Sequence, residues 1–399
     1  MKIEKVDIFR VNAASDPMWH PILCRIYTDD GFYGDGEAAL AYGTGSRAAF
    51  GMVQDLAELI IGMDPLETEV IWNKLYRRTF WGQNGGCVVT AGISAIDLAC
   101  WDIRGKYFNV PVYKLLGGKL NDHMRTYASQ LQFGWKDSMG AMFTTEDYVA
   151  ASLRAVDQGY DAIKIDFLTF RPEGGSYTDR DRTTLMTPKT LREVTERVHA
   201  VRSAVGTDVD IIVENHSFLD AQSAVQLARA LEPYNIYFFE EPNTPDPQTA
   251  RYISAKTSIP IANGERIYTR WQYKSFFQDN TLQVAQPDLG TCGGITEVKK
   301  ICDMAYAYDV SVQIHACGSP LCSAAALQVE AAIPNFIIHE HHQVNLCQSN
   351  IMLCKHDYQP QRGISRVAEL PGLGNEWSDY VLKETPKVTV TGGGVTWNM

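Results

Sequence analysis

The chain has 399 residues, 45% hydrophobic and 21% charged, which suits a globular protein of two domains or one large barrel with additions. A formal net charge of −11 and the lack of any basic tract argue against nucleic-acid or anionic-membrane binding. An anionic substrate stays open, because a bound cation reverses the local potential of a site.

The nine cysteines form no CxxC pair and read as small buried hydrophobes of a reducing, cytoplasmic compartment. No apolar run approaches membrane-spanning length, and the charged, alternating start "MKIEKVDIFRV" reads as a strand, not as a signal peptide.

Residues 1–125 predict an α+β unit. "KIEKVDIFRV" and "ILCRIYTDDGFYGDGEA" read as strands with a hairpin turn at Asp30–Gly31. Helical patterns follow at 46–62 and 65–80. The small-residue-rich "TAGISAIDLACWDIRGKYF" is apolar on more than one face and predicts a deeply packed helix.

From about residue 126 to 350 short strands alternate with amphipathic helices. The strand candidates are "RTYASQLQ", "AIKIDF", "DIIVEN", "IYFFEE", "IPIANGE", "LQVAQPD", "VSVQIHA" and "FIIHEH". Eight strands with seven helices between them predict an α/β fold of barrel type, with the 1–125 unit as a separate α+β domain. An open doubly wound sheet would more plausibly carry a GxGxxG turn, and none follows a strand here. The last segment, 351–399, shows little helical pattern and is expected to return onto the N-terminal unit.

In parallel barrels the site lies at the C-terminal strand ends. Those ends carry, in order, Lys164 and Asp166, Glu214 and His216, Glu240, Glu265, Asp288, His315 and Glu340. Alternation puts Glu214 and His216 on one face, and likewise Lys164 and Asp166. One terminal glutamate would commonly be a helix cap. Three in succession, at 214, 240 and 265, suggest a shared destination. Converging carboxylates repel one another unless a hard cation sits among them, and oxygen-only ligands favour magnesium, or manganese, over zinc. Asp288 and His315 end neighbouring strands and can form a carboxylate–imidazole pair. In "HEHH" (339–342), Glu340 is expected inward, with the histidines packing or lining and His342 facing the site.

The motifs "TDDGFYGDGEA", "AGISAIDLACWDIRGK", "VYKLLGG", "FFEEP", "NGER" and "QPDLGTCGGIT" resemble those of the enolase superfamily, in its mandelate-racemase-like branch, over essentially the whole chain. The resemblance implies a modified, TIM-like (β/α)7β barrel under an α+β capping domain, with Mg2+ held by Glu214, Glu240 and Glu265. Glu214 departs from the aspartate usual in this branch. Lys164, which the resemblance makes a catalytic candidate, falls on the first lysine of the family's KxK motif; Asp166 replaces the second, which weakens a lysine base of the mandelate-racemase type. His216, two residues after a metal ligand, resembles the arrangement in galactonate dehydratases and related acid-sugar dehydratases.

That likeness implies His216 and His315 as acid and base, with Asp288 orienting His315 and Glu340 near the substrate carboxylate. The implied reaction removes the proton α to a carboxylate, passes through an enediolate and expels the 3-hydroxyl of an aldonate or aldarate. Substrate contacts are expected from the cap and the first barrel strands: Trp19, His20, Tyr42, Trp81, Asn84, Gln130, Gln132 and Asp166, with His342. A racemase or epimerase on the same two bases and a noncatalytic sugar-acid binder are the alternatives. The partner is a small molecule, and the family resemblance implies a homo-oligomer, an octamer in many members.

Overall fold

The computed structural model describes residues 1–12, 18–83 and 85–398. Two sheets organise them. The first is antiparallel, in the order Gly394–Asn398, Lys387–Thr391, Ile3–Arg10, Ile22–Thr28, Tyr33–Ala38. Its apolar face lies against the helices Ser46–Ile60, Thr68–Arg78 and Cys87–Phe108, with Val6, Ile8, Ile22, Cys24 and Ile26 fully buried beneath them.

Helix Cys87–Phe108 is the one whose sequence was apolar on several faces, and it is buried on several faces, between the sheet and the barrel. It can lie flat on strand Tyr33–Ala38 because that strand offers backbone where it crosses. A Cβ on Gly36 would stand 1.9 Å from the Ala95 carbonyl oxygen, and one on Gly34 2.1 Å from that of Ala99.

The second sheet closes on itself. Its parallel strands run in chain order: Met124–Ser129, Ala162–Ile165, Asp210–Glu214, Ile236–Glu240, Ile261–Asn263, Val284–Ala285, Ser311–Val312 and His339–His342. All eight predicted strands are present. The last pairs with the first, His339 opposite Thr126, and Val312 meets the 335–337 segment through Val312 N–H to Asn335 O (2.7 Å) and Ile337 N–H to Val312 O (3.0 Å). Between successive strands lie the helices Thr145–Asp157, Pro188–Val205, Ala221–Leu231, Pro247–Ser254, Thr269–Gln278, Gly294–Ala307 and Pro320–Glu330. Five of them start at a side-chain cap: Thr144, Thr187, Asp220, Asp246 and Ser319 each accept an N–H from the first turn.

The chain beyond 350 serves both sheets. Ile364–Ser365 pairs antiparallel with the start of the first barrel strand, and Lys387–Thr391 pairs with Ile3–Arg10. Trp377, fully buried, donates its indole N–H to Cys24 O at 2.9 Å. Among the described residues no helix is long and apolar enough to cross a membrane.

Gly36→Ala forces the strand off the helix backbone, since a carbonyl oxygen cannot rotate away as a side chain would. Its expected cost is about 2–3 kcal/mol, the upper range for overpacking, read as a lower urea midpoint with an unchanged slope.

Candidate active site

Inside the barrel the strand pleat stacks two layers. The lower is apolar: Tyr127, Ala162, Ile212, Phe238, Ala262, Val284 and Ile338. One inward step further along, the same strands present Ser129, Lys164, Glu214, Glu240 and Glu340. The parallel register sets Glu214 directly beside Glu240. Glu265 comes from just beyond strand Ile261–Asn263.

One ligand atom from each of Glu214, Glu240 and Glu265 lies within 4.8 Å of the others. They are not helix caps, because Asp220 and Asp246 take that role for the helices after Glu214 and Glu240. Glu240 Oε2 is buried without a hydrogen-bond partner, and Glu214 Oε2 has only Lys164 Nζ, at 3.3 Å. Burial, then the Glu214 charge, pushes the Glu240 carboxyl well above the usual range. Glu265 is held below it: burial works the other way and is outweighed by His315 and Arg266. Poorly partnered buried oxygens in an all-carboxylate set fit a hard divalent cation.

Lys164 lies within this cluster. Its Nζ is 2.5 Å from Glu240 Oε1, 2.9 Å from Glu340 Oε1 and 3.3 Å from Glu214 Oε2. Burial alone would lower its pKa, yet Glu240 and Glu340 hold it well above the ordinary value, so it stays an ammonium. Its geometry is that of a fixed counter-charge.

The structure also brings together two aspartate–histidine pairs. His315 donates from Nδ1 to Asp288 Oδ2 at 2.6 Å, across neighbouring strand ends that form a parallel bridge. His216 donates from Nδ1 to Asp166 Oδ2 at 2.8 Å. The carboxylate partner places the proton on Nδ1 of each ring and leaves Nε2 as the reactive nitrogen. Burial would lower both imidazoles, but carboxylates win: Glu265 and Asp288 push His315 up to about 10, and Glu214 and Asp166 push His216 up to about 9.

The second pair was not legible in the sequence, where Asp166 read as a substrate contact. Nor does strand alternation place His216. The strand ends at Glu214, and His216 and Ser217 then adopt left-handed φ values of 48° and 61°. Ser217 N–H donates to the carbonyl of Glu241, itself left-handed at φ 44°. Three non-glycine residues in this region beside the cluster mark backbone strain held by its surroundings.

The remaining candidates sort by position. Gln130 Nε2 lies 3.2 Å from His216 Nε2, at the mouth. Gln132 is fully buried behind it, bonded to Gln130 and accepting from Asp166 N–H. Glu340 faces inward, but its oxygens are engaged by Ser129 Oγ (2.6 Å), Lys164 and Ala316 N–H (3.0 Å). His342 senses Glu340, Lys164 and His315, and burial lowers it to about 4. His341 is core, its Nδ1 2.7 Å from Tyr160 Oη, and His339 pairs with Glu330 at 2.7 Å.

Trp19 packs with Ala41 and Val344, half-buried His20 follows it, and Tyr42 bridges Trp19 with a side chain 66% exposed. Trp81 is 75% exposed, edge-on to Phe80, so the structure does not gather it with the barrel residues. Asn84 lies outside the described residues. Sequence reading overlooked Arg266, whose guanidinium bridges Glu265 and the buried Glu241. The signal was there in "EEP" and "GER", where each ligand is followed by a charged residue.

A closed (β/α)7β barrel, an α+β cap and three carboxylates at successive strand ends define an enolase-type protein. Two family models match: mandelate racemase / muconate lactonizing enzyme, N-terminal domain, over residues 15–117, and enolase C-terminal domain-like over residues 147–381. The chain belongs to the mandelate-racemase-like branch of the enolase superfamily. It is 33% identical over 383 residues to a D-galactonate dehydratase of Variovorax paradoxus (strain S110), covering 94% of this chain and 92% of that protein. Identity to a D-galactonate dehydratase of Ralstonia nicotianae is 32% over 392 residues, with 96% and 94% covered. A crystallised enolase-superfamily member from Salmonella Typhimurium superposes with a TM-score of 0.94 at 48% identity, covering 98% of this chain and 100% of that one.

Glu240→Gln is expected to weaken binding of Mn2+ to chelator-treated protein by ~100-fold or more, read by isothermal titration calorimetry. Outer-sphere changes typically cost metal sites about 10–100-fold, so losing a direct ligand should exceed most of them.

Proposed function

We propose that the chain dehydrates a sugar acid, an aldonate or aldarate, to a 2-keto-3-deoxy acid with magnesium as cofactor. The observation that carries this reading is the pair of Asp–His dyads, one across the ends of the second and third barrel strands and one across the sixth and seventh, flanking a triple-glutamate cluster. Manganese satisfies the same oxygen donors. The dehydratase names of the relatives support the reaction class.

Glu214, Glu240 and Glu265 would hold a divalent cation, which would supply Lewis-acid stabilisation of the charge that develops on the substrate carboxylate and would offset the carboxylate field around both imidazoles. His315 Nε2 takes the C2 proton, with Asp288 fixing the ring and stabilising the imidazolium that forms. His216 Nε2 delivers a proton to the 3-hydroxyl, which leaves as water, and the resulting enol tautomerises to the 2-keto acid. Asp166 serves His216 as Asp288 serves His315. Lys164 keeps Glu240 and Glu340 in place as a permanent cation. A substrate of the opposite C2 configuration would exchange the two histidine roles.

A screen of aldonic and aldaric acids with Mg2+, with semicarbazide detection of 2-keto product and NMR in deuterated water, tests the reading. Product lost on chelation supports it. Deuterium at C2 without a keto product makes the enzyme an epimerase or racemase. Chelator-insensitive binding with no exchange makes it a noncatalytic binder.

The two histidines are expected to separate. His315→Asn lowers both C2 exchange and dehydration by about 10³-fold, within the range for a lost general base. His216→Asn lowers dehydration comparably while C2 exchange persists. Equal loss of exchange in both variants would overturn the division of roles.

A further inference from the structure

We propose that Glu37, at the end of the cap hairpin, is a positioning residue for the imidazole of His315. The proposal rests on the reading of His315 as the group that takes the C2 proton.

Glu37 is fully buried and spans from the cap to the barrel. Both of its oxygens lie 3.1 Å from Ser319 N, and Oε2 also accepts from Ser319 Oγ. Ser319 already caps helix Pro320–Glu330 by accepting from Leu321 N–H at 3.2 Å. The helix start therefore does not need a carboxylate brought in from another unit. A buried carboxylate is costly unless hydrogen-bonded, and the bonds that satisfy Glu37 come from Ser319 on the barrel, so the pair acts as a fixed link between cap and barrel.

The role of that link follows from what lies upstream of Ser319. The loop "HACGS" is pinned at both ends: Ala316 N–H donates to Glu340 and Ser319 to Glu37. His315 opens this loop.

A second path runs from the same cap strand to the other half of the dyad. Ala39 N–H donates to Gly290 O at 3.0 Å. Gly290 N–H donates to Asp288 Oδ1 at 2.6 Å, and Asp288 Oδ2 accepts the hydrogen bond from His315 Nδ1 at 2.6 Å. The approach is close enough that a Cβ on Gly290 would stand 2.4 Å from Ala39 Cβ. Residues 37–39 thus hold both members of the His315–Asp288 pair. The His216–Asp166 pair is held instead by Gln130, Gln132 and Leu168, all barrel residues, and serves as an internal control.

The test compares Glu37→Gln, Ser319→Ala and the double variant with wild type by diethylpyrocarbonate labelling, quantified at each histidine by peptide mass spectrometry. This readout needs neither substrate nor turnover. The expected result is a change of at least ~3-fold in the His315 labelling rate with His216 unchanged. Turnover should fall by about 10–100-fold, as a small misplacement of a reacting group costs, with KM and Mn2+ affinity held within about twofold. The double variant should match the single ones, because the two residues act as one link. No change at His315, or equal changes at both histidines, overturns the proposal. Selective change at His315 in a protein that turns over no sugar acid would uphold the positioning and reject the catalytic reading.

Discussion

The structure depends on four glutamates brought together inside a barrel. Glu214, Glu240 and Glu340 are buried to 1% exposure or less, and Glu265 closes the group at the mouth. Two like charges 4 Å apart repel by about 4 kcal/mol at the effective dielectric of a partly solvated protein site, and several such pairs coexist here. Lys164 offsets part of the repulsion from below, touching three of the four. Glu240 Oε2 keeps no hydrogen-bond partner, and Glu214 Oε2 meets only Lys164. The surplus of negative charge lies on the open side, where a cation and an anionic substrate can share it.

The same surplus governs the histidines. Each imidazole sits between an aspartate on Nδ1 and the carboxylate cluster, and each is driven up despite its burial. An aspartate fixes which nitrogen faces the mouth, and the cluster sets how readily that nitrogen holds a proton. Left-handed backbone at His216, Ser217 and Glu241 belongs to the same arrangement. Such conformations persist where the surroundings over-determine them, and here sheet hydrogen bonds, the Ser217–Glu241 link and the Arg266–Glu241 pair do so.

Much of this was legible because strand ends announce themselves: an apolar run followed by a carboxylate locates both the barrel and its mouth. Asp288 and His315 were also readable as a pair, since they end consecutive strands. Asp166 and His216 end neighbouring strands too, but Asp166 sits where a relative's lysine would be, and that comparison drew attention to a lost base and away from a gained partner. Gln132 illustrates a different limit. Its position near the first strand end suggested a substrate contact, whereas the folded chain buries it fully behind Gln130. Exposure decided Trp81 in the opposite direction. Glu37 lay in plain view in "GDGEA", yet its partner Ser319 is 282 residues away and no periodicity connects them.

Glu214, the cluster carboxylate that stands where the family resemblance expects an aspartate, joins the glutamate cluster to the backbone of His216. Its Oε1 turns back to accept from Asn215 N–H at 2.9 Å and His216 N–H at 2.7 Å, capping the turn that carries the histidine. Its Oε2 is left for the cluster. An aspartate, one methylene shorter, has less reach to bind its own backbone and the shared centre together. The longer side chain lets one carboxylate serve both, so whatever fixes Glu214 in the cluster also fixes the backbone under His216. The turn is left-handed and strained, and a charge-assisted bond from inside the cluster adds to the contacts that keep it so. Charge in the barrel and direction at the imidazole are therefore set by the same atoms.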